Sequence, residues 1–445
     1  MTVGSGAVIF GCAGPRLLPE ERAFFRDADP FGFIVFARNV EDPSQLRRLT
    51  ADLREAVGRD APVLVDQEGG RVQRLRSPHW REWTPPLDTV DGAGSLETAE
   101  RIMRLRATVI GAELRDVGID ADCIPTLDVV RPETHPFLMN RCYGRDPKVV
   151  ARIGRAVADG LMAAGVLPVM KHLPGHGLSH VDTHHDLPVV DVSLEELQAV
   201  DFAPFRALAD LPMAMTAHLV FAALDRDLPA TQSPRMIRVI REEVGFEGLL
   251  MSDDLNMQAL AGTLADRTAR TIAAGVDIAL HCKGDMAEMV EVAAAAGRMG
   301  TETLARAKAA LSARRAATVS VEAALAELTA GKKDFSTLAR EISEDEATKQ
   351  AGGALGWMSR GRLPADFEAP VFALPVNKPT LVRTRLGWHL LEVTGKKPAE
   401  ARSFDQAKPE VLAALRTMKR EQALADYRAA LRKSEAGRVE VLGAQ

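Results

Sequence analysis

The sequence predicts an α/β fold, a parallel (β/α)8 barrel of the TIM type, followed by a smaller segment of different character. Eight short runs between residues 6 and 282 are apolar on both faces and alternate with helix-like segments. Such strands are typical of a parallel sheet that helices cover. An open doubly wound sheet is the alternative. The count of eight, and the lack of a GxGxxG motif after the first run, favour the closed barrel.

The eight predicted strands follow one another along this region. The first ends at Cys12, and we interpret the N-terminus as this strand and not as a signal peptide, because no basic segment precedes a long apolar one. In order, the runs are GAVIFGC, FGFIVFAR ending at Arg38, PVLVDQ around Asp66, IDADCIPTLDV around Asp128, VLPVMKH ending at His172, PMAMTAH ending at His218, GLLMSDD around Asp253 and VDIALHC ending near His281.

The segments between the strands carry helix start and stop signals. DPSQLRRLTADLREAVG and DPKVVARIGRAVADGLMAAG each begin with Asp, a good N-cap, and end with Gly, which adopts the left-handed conformation that ends many helices. After about Ala317 the composition changes. We therefore expect a catalytic barrel domain over 1–317, a partial α+β domain over 318–400 and a helical tail over 401–445.

Composition limits the function classes. The net charge is -5 and the pI is about 6.1, which argues against nucleic acid or an anionic membrane as a partner. Four scattered cysteines without a CxxC pair fit a reducing compartment. No apolar run approaches the roughly 20 residues that a membrane span needs. We expect a cytoplasmic monomer that binds a small molecule.

Polar side chains fall at or just past the C-terminal ends of the predicted strands. One such residue would be read as structural, but several at equivalent places predict an active site, because these ends meet at the mouth of a barrel. The residues are Arg38, Asp66, Asp128, Lys171, His172, His218 and Asp253.

The chemistry of these residues suits a two-step glycosyl transfer. Asp253 is the predicted nucleophile, because a carboxylate in this place can attack a sugar carbon and form a covalent intermediate. Asp254 is the alternative nucleophile. On a strand the two side chains point to opposite sides, and we expect Asp254 to cap the following helix.

His184, with Asp182 two residues before it, is the predicted acid/base. The carboxylate fixes the imidazole tautomer, and the ring first donates a proton and then activates water. A metal site is the alternative, because histidines are dense here. Pro174, Gly175 and Gly177 prevent the helix that would align them, so we expect no metal. The five histidines are His172, His176, His180, His184 and His185.

Five further residues are candidate substrate binders, because a carboxylate near a strand end accepts two sugar hydroxyls while cations donate to sugar oxygens. They are Asp66, Arg74, Arg141, Lys171 and His172.

Together, the motifs KHLPGHG, DTH, DQEGGRVQRL, RCYGRDP and SDDLNM resemble the bacterial β-N-acetylglucosaminidases of glycoside hydrolase family 3, the cell-wall recycling type. The resemblance covers about residues 5–315. It implies a single (β/α)8 barrel without a cofactor. It also implies removal of non-reducing GlcNAc from GlcNAc-1,6-anhydro-MurNAc (peptides), with retention of configuration. The site roles that it implies are those given above. Leu173, Thr183 and Cys142-Tyr143 depart from the usual residues without removing an assigned group.

The C-terminal part resembles the parvulin family of peptidyl-prolyl isomerases, in FSTLAREIS, GGALGWMSRGRL, FEAPVFALP and TRLGWHLLEV. His389, Asp345 and Phe367 match site positions of that family, while Leu363 replaces the usual Met. The first strand, which carries a histidine in this family, has no counterpart, so we expect an incomplete and inactive appendage. The alternatives to the leading function are a parvulin-like peptide-binding or folding-helper protein, and a family 3 enzyme with another sugar specificity or phosphorolytic activity.

Overall fold

A computed structural model describes most of the chain. The described residues are 2–181, 187–314, 325, 328–343, 345, 348–360, 363, 365–384, 387–398, 415 and 419. The chain divides into two compact units, Met1–Thr318 and Val319–Gln445.

Eight parallel strands of the first unit form a closed barrel, and each strand pairs with its neighbours in chain order. The predicted (β/α)8 fold is therefore confirmed. The barrel strands are β1 (Gly6–Gly11), β2 (Pro30–Val35), β3 (Val63–Val65), β6 (Ala121–Asp122), β7 (Leu167–Leu173), β9 (Met213–Thr216), β11 (Leu249–Asp254) and β12 (Ile278–His281). Four short strands lie outside the barrel, paired as β4 with β5 and β8 with β10: β4 (Gln67–Gly69), β5 (Val72–Gln73), β8 (Val189–Val190) and β10 (Val220–Phe221).

Helices surround the barrel, and their ends follow the expected signals. In one, Asp42 caps the N-terminus by accepting hydrogen bonds from two backbone amides, and Gly58 ends the helix with φ of 63°. The helices are α1 (Pro19–Ala28), α2 (Pro43–Val57), α3 (Pro86–Asp91), α4 (Leu96–Asp116), α5 (Pro136–Met139), α6 (Pro147–Ala163), α7 (Leu194–Glu196), α8 (Ala203–Ala207), α9 (Pro234–Glu242), α10 (Leu264–Ala274), α11 (Met286–Ala296) and α12 (Thr301–Ala313). A π-helical turn, Leu197–Asp201, joins α7 to α8.

The strand predicted around Asp128 is shorter than expected. β6 ends at Asp122, and Pro125 follows, which has no N–H to donate to a sheet. Pairing to β7 continues irregularly, with a bridge between Thr126 and Lys171 and an amide of Leu127 that donates to the Lys171 carbonyl at 2.7 Å. The chain therefore still carries Asp128 to the barrel mouth, although outside a regular strand.

Ion pairs at the opposite end tie the last barrel helix to the segments just before β3 and β6. Arg314 follows α12 and pairs with Asp120 and Asp60. Asp120 also accepts the backbone N–H of Val63 at 2.7 Å and lies 3.2 Å from Arg54. Because Asp120 is buried, these donors compensate the cost of placing its charge away from water.

The described part of the second unit is small. It contains the helices Phe335–Ile342 and Ala365–Ala373 and an antiparallel pair of strands, Thr380–Thr384 with Gly387–Leu391. The rings of Phe367 and His389 meet edge to face, with centroids 4.8 Å apart. The predicted tail over 401–445 lies outside the described residues, apart from Leu415 and Lys419, which are helical.

Two findings bear on the environment of the protein. Within the described ranges, no helix is both long and apolar enough to cross a lipid bilayer. Cys12, Cys123, Cys142 and Cys282 are all free thiols.

We propose that residues 1–317 form an independent domain, because the eight barrel strands lie in the first unit, which ends at Thr318. A chain ending at Thr318 is expected to unfold in one cooperative thermal transition, monitored by near-UV circular dichroism. A truncated protein without near-UV signal, in a soluble preparation, would contradict this proposal.

Candidate active site

A cavity of about 280 Å³ opens at the C-terminal ends of the barrel strands. A second cavity of about 320 Å³ lies near the start of β12, where Asp277 is already engaged by Arg241 and Arg306. The mouth cavity gathers six of the eight predicted site residues: Asp66, Arg74, Arg141, Lys171, His172 and Asp253.

Five charged side chains form a cluster at the floor of the mouth cavity, and three of them, Glu68, Arg141 and Lys171, are buried. The Lys171 ammonium lies 2.9 Å from a carboxylate oxygen of Asp66 and 2.6 Å from one of Glu68. Arg141 binds Glu68 through two hydrogen bonds, of 2.9 and 2.8 Å. Arg74 adds a hydrogen bond of 3.0 Å to Asp66. Two carboxylates and three cations therefore compensate one another where water is scarce.

This pairing keeps Glu68, Asp66 and Lys171 ionised. Burial raises the pKa of Glu68, but the charges of Arg141 and Lys171 outweigh burial and lower that pKa to about 2. Burial likewise raises the pKa of Asp66, and the charges of Lys171 and Arg74 lower it well below its ordinary value. Conversely, burial lowers the pKa of Lys171, and the two carboxylates raise it above its usual value. The cavity thus presents fixed donors and acceptors to a polyhydroxylated ligand.

Asp128 orients the next group of side chains. One carboxylate oxygen accepts a hydrogen bond of 2.7 Å from Nδ1 of His172, and the other accepts the backbone N–H of His176 at 2.7 Å. With Nδ1 protonated, Nε2 of a neutral His172 is an acceptor, and it lies 3.5 Å from the Arg141 guanidinium. The tautomer and ring plane of His172 are thereby fixed.

Three of these side chains lie close enough together to be considered as a metal site. Asp128, His172 and His176 offer ligand atoms that all lie within 4.8 Å of one another, the one such group of three among the residues with described placement. Burial lowers the pKa of His176 to about 3, so this ring is neutral at physiological pH. Asp128, however, is already committed to His172 and to the His176 backbone. The absence of a metal stays a prediction.

Asp253 and Asp254 end β11 and occupy different environments. Asp253 accepts the backbone N–H of Asp254 at 2.8 Å. Burial raises the pKa of Asp253, but its interactions with the His218 and His172 imidazoles, the Asp254 N–H and Lys171 together leave the pKa below the ordinary value. Burial instead raises the pKa of Asp254 to about 6. Asp253 therefore stays ionised to lower pH than Asp254 does.

The expected role of Asp254 as a helix cap is wrong. Its carboxylate accepts backbone N–H groups of Asn256 and Cys282, both at 3.2 Å. The next helix, α10, begins at Leu264 and is capped by Thr263. Asp254 therefore fixes the turn after β11 and its junction with β12. The local sequence does not distinguish an Asp that caps a helix from an Asp that forms an Asx turn, because both use the same side chain to accept backbone N–H groups.

Asp182 and His184 lie outside the described residues, so their predicted acid/base role stays a prediction. The chain leading to them is anchored firmly. Thr134 donates to the carbonyl of Gly177, and the amide of His135 donates to the carbonyl of Ser179 at 2.9 Å. As expected from its Gly and Pro content, the part of this segment from Pro174 to Val181 that the structure describes is not helical.

Two buried carboxylates were not among the predicted site residues. Glu68 lies in the DQEGG motif, two residues after Asp66, and Asp128 was noted only for its position near a strand end. The available signal was charge balance. Lys171 and Arg141 could be buried only with carboxylates beside them, and Asp66 alone cannot neutralise both.

With this geometry established, the protein is a glycoside hydrolase: its chain belongs to glycosyl hydrolase family 3. The family model described as "Glycosyl hydrolase family 3 N terminal domain" matches residues 19–319. A second model, the "PPIC-type PPIASE domain", matches residues 289–397. Both predicted resemblances are therefore confirmed.

Particular relatives support this placement. A β-hexosaminidase of Bordetella avium is 35% identical over 291 residues, which cover 64% of this chain and 82% of that protein. One of Pseudomonas aeruginosa is 36% identical over 282 residues, covering 62% and 82%. Among solved structures, native NagZ from Neisseria gonorrhoeae aligns with a TM-score of 0.64 and 31% identity, covering 73% of this chain and 94% of that one. NagZ with N-trifluoroacetyl-D-glucosamine aligns with a TM-score of 0.65 and 30% identity, with the same coverage.

Replacement of Arg141 by Met should destabilise the protein by about 3 kcal/mol at neutral pH, because it leaves Glu68 buried with one partner fewer. Glu68 stabilises the folded wild type fully above its ordinary pKa of 4.5 and loses this contribution as pH falls toward its folded pKa of about 2. The deficit of the variant should therefore be largest at neutral pH and shrink below pH 4.5.

Urea unfolding at several pH values measures this deficit. The matched control is Arg145→Met, which removes an exposed pair with Asp91 and should change stability by no more than about 1 kcal/mol. Equal losses in the two variants would argue against the buried charge cluster as the cause.

Proposed function

We propose that the protein is a retaining exo-β-N-acetylglucosaminidase. One observation carries the proposal: Asp253, whose pKa is lowered, lines the same cavity as a preassembled set of charged side chains suited to binding a sugar. The family relationship and the β-hexosaminidase relatives support the reaction class. The proposed substrate is GlcNAc-1,6-anhydro-MurNAc, with or without its peptide, cleaved at the non-reducing GlcNAc.

In the first step, Asp253 attacks the anomeric carbon and forms a glycosyl-enzyme ester while the glycosidic bond breaks. The proposed acid is His184, which gives a proton to the leaving oxygen. Asp182 holds the imidazole in the required tautomer. Neutral His184 then takes a proton from water, which attacks the anomeric carbon, breaks its bond to the Asp253 carboxylate and releases GlcNAc. Two displacements restore the original configuration.

The charged floor is proposed to hold the non-reducing sugar. Asp66 accepts hydroxyl hydrogens, while Lys171 and Arg141 donate to hydroxyl oxygens. Arg74, which pairs with Asp66, and the acceptor nitrogen of His172 complete the set. Since all of these groups are held by one another before the sugar arrives, little ordering is required on binding.

The surroundings of the reaction are part of the proposal. Four free thiols fit a reducing compartment, and we propose a cytoplasmic, monomeric enzyme that acts in peptidoglycan recycling without a cofactor. The PPIC-type part is proposed to be an inactive appendage.

Asp253→Asn should abolish turnover of 4-nitrophenyl β-N-acetylglucosaminide, with kcat at least about a thousand-fold lower, because the amide cannot form the ester. The matched control, Asp254→Asn, keeps an acceptor for the Asn256 and Cys282 amides and should retain activity within about ten-fold. Release of 4-nitrophenol measures both. A larger loss in Asp254→Asn than in Asp253→Asn would move the nucleophile to Asp254.

His184→Ala should slow natural disaccharides far more than aryl glycosides. A 4-nitrophenolate leaving group needs little protonation, whereas a sugar alkoxide cannot leave without it. Comparison of kcat/KM for the 4-nitrophenyl substrate and GlcNAc-1,6-anhydro-MurNAc measures this difference. Equal losses on both substrates would count against an acid role.

A further inference from the structure

A chain of buried side chains leads from the barrel wall to the nucleophile segment. His218 lies just past the end of β9 and is 1% exposed. Its Nε2 is 3.1 Å from the backbone carbonyl oxygen of Asp254, and its Nδ1 is 2.8 Å from the hydroxyl of Thr231. That hydroxyl also lies 2.8 Å from the hydroxyl of Thr216 and 3.0 Å from the carbonyl of Ala217.

The positions of the protons in this chain follow from elementary donor and acceptor rules. A carbonyl oxygen only accepts, so Nε2 of His218 must carry a hydrogen to bond Asp254. Burial lowers the pKa of His218, so the ring is neutral and its Nδ1 is a bare acceptor. The Thr231 hydroxyl must then donate to Nδ1, and the Thr216 hydroxyl must donate to Thr231.

The opposite arrangement is unfavourable. If Thr231 gave its single hydrogen to the Ala217 carbonyl, Nδ1 would have to donate to Thr231. With Nε2 also donating to Asp254, the ring would carry a positive charge in a buried position. The neutral arrangement keeps the hydrogen bonds of His218 to Asp254 and Thr231 without that charge, and gives up the 3.0 Å hydrogen bond from the Thr231 hydroxyl to the Ala217 carbonyl.

We propose that Thr231 is a positioning residue for the nucleophile, because it sets the His218 tautomer that holds the backbone of Asp254, and through it the carboxylate of Asp253. The last link is the Asp254 amide, which donates to Asp253 at 2.8 Å. The peptide group after Asp254 is thus fixed by His218 on its carbonyl side, while Asp254 N–H fixes the carboxylate. This inference rests on the proposed role of Asp253.

The hydrogen bonds from Thr231 through His218 to the Asp254 carbonyl, here called the relay, are separate from the residues proposed to bind the sugar. Thr231 does not line the mouth cavity, whereas Asp253 does. Loss of the Thr231 hydroxyl should therefore alter the approach of Asp253 to the anomeric carbon and leave the grip on the sugar unchanged. Small displacements of a reacting group are sufficient for large losses in rate.

The experiment compares Thr231→Val with Thr50→Val. Both remove a buried hydroxyl from the barrel without a large change in volume, but Thr50 bonds the carbonyl groups of Arg47 and Val117, far along the chain from the nucleophile. In Thr231→Val, kcat/KM for 4-nitrophenyl β-N-acetylglucosaminide should fall on the order of ten- to hundred-fold. The inhibition constant of free GlcNAc should change by less than about two-fold. Thr50→Val should show neither effect.

Two further readouts separate positioning from simple destabilisation. Nitrogen NMR of protein with labelled histidines can report the tautomer of His218, whose signals are assigned as those missing from the spectrum of His218→Gln. The wild type should show an unprotonated Nδ1, and the Nδ1 chemical shift should change in Thr231→Val. His218→Gln, whose amide can donate to the Asp254 carbonyl, should keep more activity than His218→Ala.

The outcomes are distinguishable. A wild type that turns over the substrate, with Thr231→Val as active as Thr50→Val, overturns the positioning role alone. A His218 ring with protonated Nδ1 in the wild type also overturns it. A folded wild type that cleaves no GlcNAc glycoside overturns the proposed function, and the His218 tautomer then still decides whether the relay exists.

Discussion

The compensation of buried charge at the barrel mouth is the constraint on which the site depends. Lys171 and Arg141 are largely buried, and each requires a carboxylate at hydrogen-bond distance. Asp66 and Glu68 supply these carboxylates from the end of β3 and the hairpin that follows it. The pairing therefore links β3 to β7 and to the loop before α6 through ionic contacts. A barrel closed by backbone hydrogen bonds alone would leave these connecting segments free to vary, and the floor of the cavity would lack a defined shape.

The same compensation accounts for the polarity of the site. Charges that are already paired keep their hydrogen-bonding capacity, because each oxygen and each N–H can make more than one contact. A sugar hydroxyl can therefore enter beside an existing ion pair without either charge being left bare. This property suits a ligand with several hydroxyl groups, each of which can donate to a carboxylate and accept from a cation.

Much of this arrangement could be predicted from the sequence, and the exceptions have physical causes. The alternation of apolar runs with capped helices specifies the barrel. The predicted strand ends also indicated correctly that Asp66, Lys171 and Asp253 meet in one cavity. Glu68 was missed because it lies in a short hairpin whose fold depends on contacts across the cavity, not on periodicity. The strand before Asp128 was overextended because Pro125 interrupts a run that is apolar throughout. The role of Asp254 depends on an amide of Cys282, which is distant in sequence.

Asp253 and Asp254 show how strongly position determines chemistry. They are adjacent and identical, yet one has a lowered pKa and the other a pKa raised to about 6. Asp253 faces His172 and His218 across the mouth, whereas Asp254 turns toward the junction with β12 and is desolvated beside its like-charged neighbour. Backbone alternation separates the two carboxylates, and the barrel then supplies each with its own surroundings. In the proposed mechanism an ionised carboxylate attacks carbon, so the lowered pKa of Asp253 favours it as the nucleophile over Asp254, although both line the mouth cavity.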